Sequence, residues 1–354
     1  MGSAAAWQLA RAGRRVVVLE QFEFGHLRGA SHGATRNISG AYPTDTYQRL
    51  LTRTRDLWRE LEEESGTQLI DWVGLVQHGD EAPLRELEAA HERHGVRSTF
   101  LSPEEAGERW TGLRFAGPVL HTLDAGRVRA SEALRVLRER AEALGAEFHY
   151  ATPVRRLDVD GDTVVVATDA AEYRPARVVV TAGAWTSHLL PADIPRPPLR
   201  VTQEQPAHFA ERPGTREWPG FMQSPIPGLE RDAYWYTPIY GMLTPGEGIK
   251  VGWHGSGKVV DPDHRDFAAE EQQLAALRRY VAEWIPGADP DAFEPISCTY
   301  TTTPTEDFVI DAHGPVVVGA GFSGHGFKFT PAIGELLAGL VAGESTPREF
   351  ALAR

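Results

Sequence analysis

Gly2-Ser3-Ala4-Ala5-Ala6-Trp7-Gln8-Leu9-Ala10-Arg11-Ala12 opens the chain, followed by Gly13 and then by Arg15-Val16-Val17-Val18-Leu19-Glu20. The first stretch is dense in small, helix-favouring residues, Gly13 is a natural stop, and Val16 to Val18 is a β-branched run. Helix, glycine, strand and acidic residue make the second half of a dinucleotide-binding βαβ unit. In that unit Gly2 stands as the third glycine of Gly-x-Gly-x-x-Gly, where it permits close helix–strand packing, and Glu20 binds the ribose hydroxyls. The first strand and the first two glycines have no counterpart in the sequence. The expectation is therefore that Val16 to Val18 has an unpaired edge and an uncovered apolar face. It follows that the natural chain would start roughly ten or more residues upstream, in a strand ending Gly-x-Gly, and that these residues alone would bind the dinucleotide poorly.

A second stretch, Gly321-Phe322-Ser323-Gly324-His325-Gly326-Phe327-Lys328-Phe329, follows the apolar run Val316 to Ala320 and precedes a helix-like segment from Pro331 to Leu340. The pattern predicts a strand, a glycine-rich turn and a helix start. Gly321, Gly324 and Gly326 lack a Cβ, so backbone amides can approach a large flat ligand, and a helix N-terminus favours electron-rich groups there. Lys328 adds a cation. Upstream stands Cys298, the one cysteine of the chain, within Ile296-Ser297-Cys298-Thr299-Tyr300. A single thiol rules out an intramolecular disulfide and suits a reducing compartment. Taken alone, Cys298 also reads as a buried inert thiol, and the turn as a plain strand-to-helix connection with a surface lysine.

Lysine and arginine number 36 against 49 acidic residues, a net charge of −13. That balance argues against nucleic acid or an anionic membrane surface as a general partner, and an anionic substrate then requires a local positive pocket. With 42% hydrophobic and 24% charged residues the composition is that of a globular protein, and the 354-residue length suggests about two domains. No apolar run is long enough to span a bilayer and the N-terminus has no signal pattern, which makes the cytoplasm the expected location. The histidines show no metal-ligand spacing, so no metal is expected.

Along the chain, Gln21 to Asp45 reads as a long loop, and loops of that length are usually functional. Helices are predicted from Tyr47 to Glu64, with Leu50, Leu57, Trp58 and Leu61 as the apolar face, and from Ser131 to Leu144, with Leu134, Val136, Leu137 and Ala141 inside. Strands follow near Phe148 to Tyr150, Val154 to Val159, Thr163 to Thr168 and Val178 to Thr181. The middle, Leu190 to Pro295, is rich in Pro, Trp and Tyr, with alternating segments such as Ala233 to Thr237 and Ile249 to Trp253 that predict a sheet with one face over a pocket, and one helix from Ala268 to Trp284.

Together with Gly29-Ala30-Ser31-His32-Gly33-Ala34-Thr35-Arg36, Thr181-Ala182-Gly183-Ala184-Trp185, Pro219-Gly220-Phe221 and Lys250-Val251-Gly252-Trp253-His254, these blocks resemble the monomeric sarcosine oxidase and N-methyltryptophan oxidase family. These are flavoenzymes of the D-amino-acid oxidase structural group. The resemblance runs nearly end to end in order and spacing. It implies an α/β fold in which a Rossmann-like, N-terminally incomplete FAD-binding domain (1–67, 127–192 and 296–354) is interleaved with an α+β substrate domain (68–126 and 193–295) on an antiparallel or mixed sheet. It further implies that Cys298 forms a thioether to the 8α-methyl of FAD. By the same resemblance Lys250 lies beside flavin N5 and helps oxygen take an electron, Lys328 meets the substrate carboxylate, Arg36 lies over the flavin, and His254 shapes the amine site. Gly2, Glu20, Ser31, His32, Thr35, Ala182, Gly183, Trp185, Gly321, Ser323, Gly324 and Gly326 complete the implied cofactor contacts.

The chain departs from the family at one point. Members read Thr-Arg-x-x-Arg in the loop, and the second arginine completes a carboxylate clamp with the lysine matching Lys328. Here the sequence is Thr35-Arg36-Asn37-Ile38-Ser39, and a serine cannot replace a bidentate guanidinium. The resemblance implies a monomeric FAD-dependent oxidase of a secondary or N-methylated amino acid. Hydride passes to flavin N5, oxygen reoxidises the flavin to give hydrogen peroxide, and the imine is hydrolysed. An oxidase of cyclic imino acids or of a pathway-specific amine, a flavin dehydrogenase, and a non-catalytic truncated member are the alternatives left open.

Overall fold

Small residues set the position of the first helix. In the computed structural model, which describes residues 1–215, 217–225 and 234–352, this helix covers Gly2–Arg11 and buries Ala4, Ala5, Ala6 and Trp7. It packs against helices Thr330–Val341 and Ala130–Ala143. The approach to the first of these is close enough that a Cβ on Gly334 would lie 2.6 Å from the Ala4 carbonyl carbon. Gly13 ends the segment at φ +72°, a left-handed conformation open to glycine.

Behind this helix the parallel sheet is in two pieces. Val17–Leu19 pairs in parallel with Glu147–His149, matching Val17 with Glu147. Val178–Val180 pairs in parallel with Val316–Ala320, matching Val178 with Val316, and Val309–His313 adds an antiparallel edge. Val17–Leu19 and Val178–Val180 each have a ladder partner on one side only among the described residues, and both line one cleft. Val17 is 39% exposed, in keeping with the expected unpaired edge.

The second layer is an eight-stranded mixed sheet. Its order is Ala288–Pro295, Ala207–Glu211, Gly248–Trp253, Ile239–Thr244, Gly220–Gln223, Leu75–His78, Val119–Thr122 and Ser98–Leu101. Only the pairing of Gly220–Gln223 with Leu75–His78 is parallel. Helix Glu271–Trp284 covers the face formed by Phe209, Val251 and Trp253, starting later than the sequence predicts. A small sheet of Lys258–Val259, Arg200–Glu204 and Cys298–Thr302 joins the two layers. The fold is thus α/β, a Rossmann-like region interleaved with a mixed-sheet region, as the sequence predicts.

Several expectations fail locally. The stretch from Gln21 to Asp45 contains a strand, Thr35–Ile38, paired antiparallel with Gly126–Arg129. Its Thr-Arg-Asn-Ile sequence has no apolar alternation, and only the distant partner makes it a strand. The predicted strand from Ala233 to Thr237 is absent over Tyr234 to Thr237, where turn and irregular backbone stand, while Ala233 lies outside the described residues. In the helix Asp45–Ser65 the buried face includes Tyr47 and Leu51 beside Leu57, Trp58 and Leu61, and Leu50 is half-buried. Likewise Ala133, not Leu134, joins Val136, Leu137 and Ala141 inside.

Candidate active site

A cavity of about 1460 Å³ runs between the two layers, from the N-terminal helix to the strand Gly248–Trp253. At one end lie Gly2 and Glu20. A Cβ on Gly2 would stand 3.0 Å from Thr181 Oγ1, so the helix start and the strand end touch there. Glu20 accepts a hydrogen bond from the Phe22 amide at 3.0 Å, which holds the carboxylate at the strand's end. Ala182, Gly183 and Trp185 form the next part of the wall. Trp185 is fixed by its indole N–H, which donates to Asp263 at 2.6 Å, and by edge contact with Phe22 at 5.5 Å.

The loop from Gly29 to Arg36 is organised by its own polar groups. His32 Nδ1 lies 2.7 Å from the Gly29 carbonyl. Arg36 donates to the carbonyls of Thr35 at 2.7 Å, Ala30 at 2.9 Å and His32, and lies over the Phe327 ring at 5.6 Å. Backbone oxygens satisfy this guanidinium, so its charge is not neutralised by a carboxylate. Burial lowers the His32 pKa to about 4, with Arg36, Lys250 and Arg265 nearby in the same direction.

At the far end the two predicted lysines face the same space. Lys250 is 7% exposed and has no hydrogen-bond partner among the described residues, and burial together with Arg36 lowers its pKa to about 7. Lys328 is 6% exposed and donates to the Tyr42 hydroxyl and the His325 carbonyl, both at 2.8 Å. Its pKa is lowered by burial to about 7. His254 follows the strand Gly248–Trp253 and stands with Nδ1 3.5 Å from the Tyr300 hydroxyl, its pKa lowered by burial, and by Lys328, to about 4. Cys298 is 7% exposed and lines the cavity, as do Lys250 and Tyr300. The acidic residues of the lining are Glu20, Glu23 and Asp263. None is at the lysine end, which is therefore a positive pocket in a chain of net charge −13.

The predicted residues separate into those on the wall and those behind it. Gly2, Glu20, Ser31, His32, Arg36, Ala182, Gly183, Trp185, Lys250, His254, Cys298, Gly324, Gly326 and Lys328 line the cavity, whereas Thr35, Gly321 and Ser323 do not. Ser323 braces the turn, its hydroxyl donating to the Gly321 carbonyl at 3.1 Å and accepting from the Thr303 amide at 3.3 Å. The three glycines make room for protein groups. A Cβ would come within 2.4 Å of Thr303 at Gly321, 2.2 Å of Tyr300 at Gly324 and 2.5 Å of Phe322 at Gly326. Sequence reasoning missed Tyr42, Tyr240 and Met242. The last two had a signal, since they alternate on a strand paired with that of Lys250, and Met242 is the register partner of Lys250. Ser39 is 4% exposed and lines the same cavity.

The residues fit a large, flat, electron-rich group. A buried ammonium without a partner is costly unless an anionic or electron-rich ligand meets it, and the Lys250 side chain is placed to meet one. The description "FAD dependent oxidoreductase" belongs to the family whose model matches residues 1–340. Monomeric sarcosine oxidase of Bacillus sp. (strain NS-129) is 32% identical over 367 residues, covering 99% of this chain and 93% of that protein. Peroxisomal sarcosine oxidase of Homo sapiens is 33% identical, covering 95% of this chain and 88% of that protein. Among solved structures, NikD, an unusual amino acid oxidase essential for nikkomycin biosynthesis, matches with a TM-score of 0.87 at 28% identity, over 99% of this chain and 94% of that one.

Proposed function

The chain belongs to the FAD dependent oxidoreductase family, and from that premise we propose that it is an FAD-dependent oxidase of a secondary or N-methylated amino acid. The observation that carries this reading is the pair of buried lysines, Lys250 and Lys328, facing one cavity without a carboxylate between them. Bound there, FAD supplies the two-electron chemistry that oxidises a C–N bond and hands the electrons to oxygen. Gly2, Glu20, the loop from Ser31 to Arg36 and Ala182 to Trp185 would hold it, with Cys298 as the point of covalent attachment through its sulfur.

Lys328 supports carboxylate recognition because its tethers leave one ammonium proton for a charge-assisted hydrogen bond. Lys250 supplies positive charge where negative charge develops on oxygen, and being buried it does so in a low-dielectric setting. His254 stays neutral at neutral pH and orients the Tyr300 hydroxyl without adding charge beside the amine. The single cysteine suits a reducing cytoplasm, and the name of the bacterial relative supports a monomer.

The test is peroxide release from the FAD-loaded protein given N-methyl and cyclic secondary amino acids. Flavin bleaching by substrate without peroxide would show a dehydrogenase instead. Ser39 favours a second reading, in which the amine is bulkier than sarcosine. The same cavity is also lined by Met222, Met242, Phe322 and Phe327, which offer apolar contacts to a bulkier amine. Ser39→Arg should then improve sarcosine affinity by about 1.5 to 3 kcal/mol. Tight sarcosine binding by the unaltered protein would contradict the bulkier-amine reading.

A further inference from the structure

His208 is a largely buried base next to Lys250 that the proposed reaction leaves unused. It stands on Ala207–Glu211 and is the register partner of Lys250 on one side and of Glu294 on the other. Directly opposed residues of antiparallel strands leave the same face of a sheet, so Glu294, His208, Lys250 and Met242 form one row across four strands. The row runs from exposed Glu294 on the edge strand to Lys250 and Met242, buried on the cavity wall. Thr244 shares that face, two residues beyond Met242 on the same strand, and its own register partner is Gly248. With no side chain on Gly248 to stand between them, imidazole and hydroxyl meet across that strand, His208 Nε2 lying 3.2 Å from Thr244 Oγ1.

The contact extends in both directions. Oε2 of Glu247, on an exposed turn, lies 3.3 Å from His208 Nδ1, and Thr244 Oγ1 lies 2.7 Å from Thr35 Oγ1. An ionised carboxylate only accepts, so the Nδ1 proton faces Glu247; Nε2 then accepts from the Thr244 hydroxyl, and Thr244 accepts from Thr35. That order needs a neutral ring, and burial, with Lys250 and Arg36 nearby, lowers the pKa of His208 to about 4. Thr35 and Thr244 are 3% and 0% exposed. The chain therefore has a wet end at Glu247 and a dry end where Thr35 packs over the face that bears Lys250. Lys250, with its pKa near 7, can give up and regain a proton at neutral pH.

We propose that Glu247, His208, Thr244 and Thr35 form a proton relay from solvent that reloads Lys250 after it has given its proton to reduced oxygen, a role that rests on the oxidase reading above. Reducing oxygen to hydrogen peroxide takes two electrons and two protons. Anionic reduced FAD supplies both electrons and one proton, Lys250 supplies the second proton, and solvent replaces it. The replacement proton moves inward when His208 Nε2–H gives to Thr244, Thr244 to Thr35 and Thr35 to the neutral amine, while Nδ1 takes one from the Glu247 side. The passage leaves Nδ1 protonated and both hydroxyls pointing back toward Nε2, which is the order deduced above, and turning of the ring and hydroxyls resets the chain. A free hydronium ion would be repelled by Lys250 and Arg36, whereas a neutral chain carries the proton without that cost.

The test reads proton uptake apart from electron transfer. The FAD-loaded full chain, reduced by light without any amine, is mixed with oxygen in weak buffer containing a pH-indicator dye, and flavin colour and dye are followed together. In the parent the two should run in step. In His208→Gln, which can still hydrogen-bond to Thr244 but does not pass a proton through, and in Thr244→Val, which removes one hydroxyl, proton uptake should lag behind flavin reoxidation by about tenfold or more. If His208 merely packed against the sheet, uptake would stay in step with reoxidation in both variants, and that result overturns the proposal. Thr244→Val alone decides if the glutamine variant does not fold. In the flavin-free protein, nitrogen NMR of labelled histidine should show the His208 ring, assigned by its absence from the glutamine variant, neutral at neutral pH; a charged ring also overturns the relay. A parent whose reduced FAD does not react with oxygen fails the oxidase reading itself, whereas a reactive parent with both variants in step fails the relay alone.

Discussion

Lys250 concentrates the electrostatic argument at the level of one residue. Its ammonium is buried, has no hydrogen-bond partner among the described residues and lies near Arg36, an arrangement that destabilises the fold and, in the proposed function, would serve a developing anion. With the pKa lowered to about 7 against an ordinary value near 10.4, the unfolded chain holds this proton between those values and the folded chain does not. Stability from this group therefore rises with pH across that window, and the burial penalty is fully present below about pH 7. Lys250→Met should accordingly stabilise the protein at pH 6 by about 2 to 4 kcal/mol, an advantage that shrinks toward pH 10. The same change should slow reoxidation of the reduced, FAD-loaded protein by oxygen by orders of magnitude, with anaerobic reduction by substrate much less affected. Urea unfolding at several pH values and stopped-flow measurement of both half-reactions check the two halves. Equal loss in both half-reactions, or a methionine variant less stable at pH 6, goes against this role.

At the scale of elements, the glycine-rich turn shows what the sequence could and could not say. Strand, turn and helix were legible from Val316 to Leu340 because the apolar run, the glycines and the helix-favouring residues mark each boundary locally. The cause of the glycines was not, since the atoms they avoid belong to Thr303, Tyr300 and Phe322, and only the fold brings Tyr300 to the turn. Tyr42 is a sharper case, because its contact with Lys328 spans 286 residues. Thr35–Ile38 was illegible for the same reason, its partner being Gly126–Arg129. By contrast, the alternation from Ile249 to Trp253 was legible as a strand, and Lys250 stands on the strand Gly248–Trp253. The turn itself makes a prediction. Gly324 has φ +76°, and an added Cβ would lie 2.2 Å from Tyr300, so Gly324→Ala combines backbone strain with a clash. It should cost about 2 to 4 kcal/mol, and about 1 kcal/mol or more of that should vanish in a Tyr300→Leu background, as a double-mutant cycle would read. Additive losses would show that the turn strain alone is responsible.

Across the whole molecule, the proposed chemistry and the packing share one cost, a set of bases kept neutral by burial. Burial lowers the pKa of His32, His121, His208 and His254 to about 4 and of His78 and His325 to about 3. Four of these, His32, His208, His254 and His325, lie in or beside the cavity region, and His78 and His121 lie in the eight-stranded sheet. The ordinary histidine value is near 6.5, so between about pH 6.5 and 4 the unfolded chain binds protons that the folded chain refuses. Stability must then fall as pH falls through that window, by up to about 1.4 kcal/mol per pH unit for each fully shifted group. Even half of that slope summed over six groups would use up a typical folding free energy of about 5 to 15 kcal/mol within two or three pH units. We therefore expect cooperative loss of structure as the pH falls below about 4.5, where these histidines act together with carboxylate protonation. His78 offers the cleanest dissection, since it lies outside the cavity and packs edge-on against Phe115 at 5.0 Å. His78→Leu should move the acid midpoint, followed by near-ultraviolet circular dichroism, down by a few tenths of a pH unit and leave the alkaline side unchanged. A protein whose unfolding free energy is the same at pH 4.5 and pH 7 would show that these histidines are not held neutral by the fold.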